Sequence, residues 1–122
     1  MRTIGENIRK LAILAACGAT VGCQTTEQMA PPVTPGFVAT LADANMETAR
    51  LQQGRHTYVT QCARCHNIEP IGRYSDDRWQ QIVDSMSVKA RLRTDQKSDL
   101  LAYILAARKI IDNETTARTK MD

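Results

Sequence analysis

The sequence predicts an all-α fold, and three observations carry that prediction. Apolar residues recur at steps of three and four in separate stretches, the spacing that puts side chains on one helix face. No stretch alternates apolar and polar residues as a half-buried strand does. Three of the four prolines fall within residues 24–42 and the fourth, Pro70, sits with Gly72 in an aperiodic stretch, so the breakers separate the helical segments.

The first helical stretch is NMETARLQQGRHTYVTQC, residues 45–62. Leu51, Gly54, Tyr58 and Cys62 share one face of it. Gly54 costs about 1 kcal/mol against alanine inside a helix, so its expected use is close approach by another helix. His56 lies about 200° round the helix from that stripe and reads as a solvated surface residue. The following NIEPIGRYS lacks any period and reads as a loop. Ser75 then has the character of an N-cap, with Asp76 and Asp77 in the first turn where negative charge suits the helix dipole. DDRWQQIVDSM continues as a helix with Trp79, Ile82, Val83 and Met86 on one side. SVKARLR, residues 87–93, reads as a basic connector. Thr94 is the expected cap of a last helix through QKSDLLAYILAARKII. Its apolar rows are Leu101, Ile104 and Leu105 beside Leu100, Tyr103 and Ala107. Residues 113–122 read as a fraying tail.

The N-terminus has a different layout. Arg2, Arg9 and Lys10 precede an apolar run at residues 11–22, the pattern of an export signal. The run is too short to span a bilayer, which takes about 20 residues. It ends in TVGCQTT, which resembles the lipobox of bacterial lipoproteins. That resemblance implies cleavage before Cys23 and a lipid on its thiol. Cys17, in LAAC, is the competing position, and a plain secreted chain with a free cysteine is the other reading. Gln24 is not the acidic residue associated with inner-membrane retention, which points to the outer membrane. Removal of residues 1–22 leaves 13 basic and 12 acidic side chains, so the formal charge of +3 is largely a property of the leader. Neither value argues for nucleic acid as a partner. The expected organisation is a leader over 1–22, a lipidated Cys23 with a Pro-rich tether over 23–43, a helical domain over 44–112, and the tail over 113–122.

The chain has one Trp, one Phe and three Tyr in 122 residues. A small domain so poor in large side chains usually recruits a staple or cofactor. CARCH, residues 62–66, is where one would attach. Two thiols three apart followed by an imidazole suit three chemistries. Covalent haem attachment uses two thioethers to neighbouring vinyl groups and the histidine on iron. A thiol–disulfide couple uses the C-x-x-C alone. Zinc wants four ligands, and with His56 turned away only Cys62, Cys65 and His66 remain. The disulfide chemistry usually comes with a βαβ pattern, which is absent. Haem is the reading these residues favour.

From Arg50 to Arg108 the chain resembles the monohaem cytochrome c family. Gly54, Tyr58 and Cys62 stand at the spacing of that family's first helix, and Tyr103 in LLAYILA matches the aromatic that packs over the glycine. The resemblance implies a small helical fold wrapped around one covalent haem c. Cys62 and Cys65 would form the thioethers and His66 would be the proximal iron ligand. The Pro70 carbonyl would accept a hydrogen bond from that histidine, fixing its tautomer. WQQIVDSM looks like the W-x-x-I/V-V-x-x-M pattern of a subset of these domains, which makes Met86 the distal ligand; helix core is its other reading. Asn67, in place of the frequent glycine after the motif, departs from the family pattern, as does a methionine arriving from a helix end.

Two protein ligands leave no open iron site. The implied activity is outer-sphere electron transfer in the periplasm, with redox proteins as partners, a membrane contact through the lipid, no small-molecule substrate and no enzymatic activity. A haem sensor with Met86 displaced, or a subunit of a larger oxidoreductase, are the alternatives. Arg64, Arg73, Lys89, Arg91 and Arg93 could rim the haem and steer an acidic partner; solvated surface is their other reading.

Overall fold

A computed structural model describes residues 25–41 and 48–122. The leader, Cys17, Cys23, Gln24, Asn45 and Met46 lie outside the described residues, as does the expected boundary at 43–44. Among the described residues every regular element is helical and no strand forms. The α-helices are α1 (Thr26–Met29), α2 (Pro35–Ala39), α3 (Thr48–Thr60), α4 (Asp76–Lys89) and α5 (Thr94–Met121), with short 3-10 turns at Cys62–Arg64 and Ile71–Arg73. No helix is long and apolar enough to cross a membrane among these residues.

The core is built on the crossing of α3 and α5, the most extensive helix pairing among the described residues. It passes over Gly54 because only hydrogen fits there. A Cβ on Gly54 would lie 2.1 Å from the Asp99 carbonyl oxygen and 2.7 Å from the Tyr103 Cβ. Leu51, Tyr58, Leu100, Tyr103, Ile104 and Ala107 are buried around this contact. At its edge Arg50 Nε meets Asp99 Oδ1 at 2.8 Å. Helix α4 packs on α5 through Trp79 and Val83, and Ser75 Oγ accepts from the Arg78 N–H at 3.3 Å as its cap.

Four boundaries differ from the sequence reading. The segment expected to be an extended tether is folded against the domain from residue 25 onward. Its prolines leave carbonyls without partners inside the segment, and the domain supplies them. Tyr103 Oη donates to the Pro31 oxygen at 2.8 Å, and Arg55 Nε donates to the Ala30 and Pro31 oxygens at 3.1 and 3.2 Å. Ala30 and Phe37 are buried, and the Phe37 ring stacks on Tyr103 with centroids 6.3 Å apart. Pro35 opens α2, where its missing N–H costs nothing.

Helix α4 runs to Lys89, which leaves Ala90–Arg93 as the connector. Helix α5 is capped by Arg93 rather than Thr94: the Gln96 side chain reaches back to the Arg93 N–H at 3.0 Å. The tail is helical to Met121, with residues 112–122 exposed. Thr115, Thr116 and Thr119 hydroxyls bond carbonyls one turn back, and Arg118 and Lys120 sit in the last turn where the dipole favours them.

Candidate cofactor site

Helix α3 carries the stripe Leu51–Gly54–Tyr58 to its C-terminal end, where Gln61 N–H closes on the Thr57 oxygen at 2.8 Å. The next turn is the 3-10 segment Cys62–Arg64. Cys62 continues the buried stripe and is half-buried. Cys65 and His66 come out of the turn into solvent. Both thiols are free.

The CARCH turn, α4 and α5 border an open cavity of about 860 Å³. Cofactor and ligand sites commonly run to roughly 300–1,000 Å³. Cys62, Cys65 and His66 line it from the turn, and Met86 lines it from the last turn of α4. Trp79, Ile82 and Val83 complete the α4 side, and Leu100 and Ile104 form the α5 side. The four residues expected to hold a haem are therefore brought to one space, and its walls are mainly apolar.

The loop after CARCH is held from below. Tyr58 Oη donates to the Glu69 carbonyl, and Trp79 Nε1 donates to the Ile71 carbonyl at 2.8 Å. Ile71 is fully buried. Arg108, itself largely covered, donates to the Tyr74 carbonyl and pairs with Asp76 and Asp112, each at 2.7 Å. Pro70 is used differently from the expectation. Its carbonyl accepts the Arg73 N–H at 3.0 Å, closing the 3-10 turn, while His66 Nδ1 lies 2.7 Å from the Asn67 oxygen. The His66–Pro70 hydrogen bond is not formed, because an exposed imidazole has no packing to hold it toward a carbonyl that already has a donor.

Burial pushes the Cys62 thiol up to about 11. The cysteine also follows the C-terminal end of α3, where the helix dipole disfavours an anion. Burial likewise raises the Tyr58 hydroxyl above its usual value, with Cys62, Tyr103 and Glu69 adding to it. His56 is exposed on α3. Its surface position is where the helix spacing put it.

Two contributions are not visible in the sequence pattern. Leu100 and Ile104 fall in different rows of the sequence pattern, yet as an i, i+4 pair they share the cavity wall. Ile68 also lines the cavity from a loop with no period to reveal it. Of the basic residues expected at the rim, Arg64, Lys89 and Arg91 line the cavity and Arg73 and Arg93 do not; only the positive φ of Arg91 has no signal in its residue type. No protein-family model, curated protein or solved structure matches the chain.

Proposed function

We propose that the chain is an electron-transfer protein of the cytochrome c type, carrying one covalent haem in the cavity and anchored to a membrane through lipid on Cys23. The observation that carries this reading is the convergence of Cys62, Cys65, His66 and Met86 on one apolar space of about 860 Å³. Cys62 and Cys65 would each add S–H across one vinyl double bond, giving two thioethers with no net oxidation. His66 and Met86 would be the iron ligands, and a thioether ligand raises the reduction potential. The haem, when bound, supplies the one-electron chemistry. The chain supplies the attachment, the ligands and a largely apolar surround.

Thiol–disulfide chemistry is the poorer reading for two reasons. A redox-active C-x-x-C depends on a lowered thiol pKa, commonly aided by a helix N-terminus. Here the first thiol is raised by burial and follows a helix C-terminus.

The test is an absorption spectrum, oxidised and reduced, of protein produced with a haem-maturation system. A covalent haem with the far-red methionine–ferric band, lost in Met86→Ala, is the expected result. A covalent high-spin haem indifferent to that substitution would favour the sensor reading. A chain that takes up no haem would sink the proposal.

A further inference from the structure

The cavity carries more positive charge than the fold uses. Arg64, Lys89 and Arg91 line it, with Glu69 as the carboxylate among its walls. Glu69 is already taken by Arg73 at 2.7 Å. Arg64 donates to the neutral Gln61 side chain. Among the described residues, none of these three cations pairs with a carboxylate.

Arg91 stands apart through its backbone. Its φ is 53°, and among the described residues no other non-glycine has a positive φ. The Leu92 N–H donates to the Ser87 oxygen at 2.9 Å and the Arg91 N–H to the Val88 oxygen at 3.2 Å. This pair of bonds closes a helix C-terminus around a left-handed residue, and that residue is usually glycine. A side chain there crowds its own backbone, whereas glycine does not. Half-buried Ala90 and Leu92 flank the position. Arg91 thus holds a glycine-favouring position, is exposed and lines the cavity.

We propose that Arg91 is the anion anchor of the cavity, its guanidinium pairing a carboxylate of the occupant. The proposal rests on the haem reading, in which that carboxylate is a haem propionate. A guanidinium presents a planar fork that matches a carboxylate through two parallel hydrogen bonds. Lys89, two residues earlier on the last turn of α4, is a second cation on the same wall.

The test compares haem-loaded wild type, Arg91→Gly and Arg91→Lys. Glycine suits the backbone at this position, so the variant keeps the fold while losing the charge. Spectroelectrochemical titration is expected to show a lower midpoint potential for Arg91→Gly, because an uncompensated carboxylate favours ferric iron. Arg91→Lys should recover most of that shift. In loaded wild type, phenylglyoxal should modify Arg91 several-fold more slowly than Arg118, which is exposed and without an ion pair among the described residues. A wild-type potential in loaded Arg91→Gly, or equal modification of Arg91 and Arg118, overturns the proposal and leaves the haem reading standing. A wild-type chain without covalent haem overturns both, and that outcome is read before any variant is made.

Discussion

The two ends of the stripe that runs from Leu51 through Gly54 and Tyr58 to Cys62 are built on opposite terms. At Gly54, midway along α3, the stripe meets α5 so closely that a single methyl group has nowhere to go. Eight residues later, at Cys62, the same face borders a cavity that the chain's own side chains leave open. The stripe is continuous across both, and its residues differ mainly in size and chemistry. The comparison teaches that one helix face can serve two tasks. Its first half locks the fold against α5, and its second half presents reactive groups at fixed positions on that locked base.

Aromatic packing joins the two ends. Tyr58 sits between them, with its ring 6.5 Å from Tyr103 at the crossing and 6.0 Å from Trp79 at the cavity. Phe37 extends the group from Tyr103 and Tyr74 extends it from Trp79, at 6.3 and 5.4 Å. All five aromatic residues of the chain belong to this one group. Scarcity of aromatics therefore does not mean they are scattered. They are concentrated where the crossing and the cavity share a wall.

The comparison is easiest to break at its tight end. Gly54→Ala is expected to cost about 3 kcal/mol or to prevent folding, because overpacking here meets backbone rather than a yielding side chain. Denaturant unfolding measures it, and a loss below about 1 kcal/mol would show that α3 and α5 do not meet as described.

At the open end, the two thiols should differ. A thiol raised from about 9 to about 11 holds roughly 100-fold less thiolate near neutrality. Iodoacetamide at pH 8 should therefore reach Cys62 about 100-fold more slowly in the folded chain than in urea, while exposed Cys65 reacts in both. The linkage has a definite sign. The folded pKa lies above the unfolded one, so the contribution of the buried neutral thiol is complete below pH 9 and is lost as pH rises through about 11. Equal alkylation of the two cysteines would contradict the half-buried placement of Cys62.

Between the ends, Tyr58→Phe removes the bond to the Glu69 carbonyl and should cost about 1–2 kcal/mol. Faster amide exchange confined to residues 66–71 would accompany it. A uniform increase across α3 would instead mean that Tyr58 acts through the core. The smallest effect is expected from deletion of residues 113–122. This helical extension is exposed throughout, so the unfolding midpoint should correspond to a change within about 0.5 kcal/mol. A larger loss would assign the extension a packing role that its exposure does not indicate.

The helical class, the Gly54 approach, the Ser75 cap and the placement of His56 were all legible in the sequence. Each depends on local spacing or on a single residue's steric needs. The reading failed where a segment's partner lies far along the chain. Residues 31–35 look extended in isolation because prolines make them so. Their fold depends on Arg55 and Tyr103 filling carbonyls that no local rule assigns. The tail was misread for a related reason: continuation of α5 to Met121 depends on a helix already nucleated and anchored upstream, which removes the nucleation cost that an isolated ten-residue segment would face.

For the site, the chain by itself determined which chemistry is available. Two thiols three apart with an adjacent imidazole, and a methionine on an amphipathic helix, are properties of order and spacing. Only the tertiary structure decided that Met86 and CARCH line the same space, that the space is open and apolar, and that Arg91 sits on its wall in a conformation made for glycine. These facts depend on how α4 packs on α5 and how its last turn closes. Such packing is set by many weak contacts acting together, and no short stretch of sequence contains it.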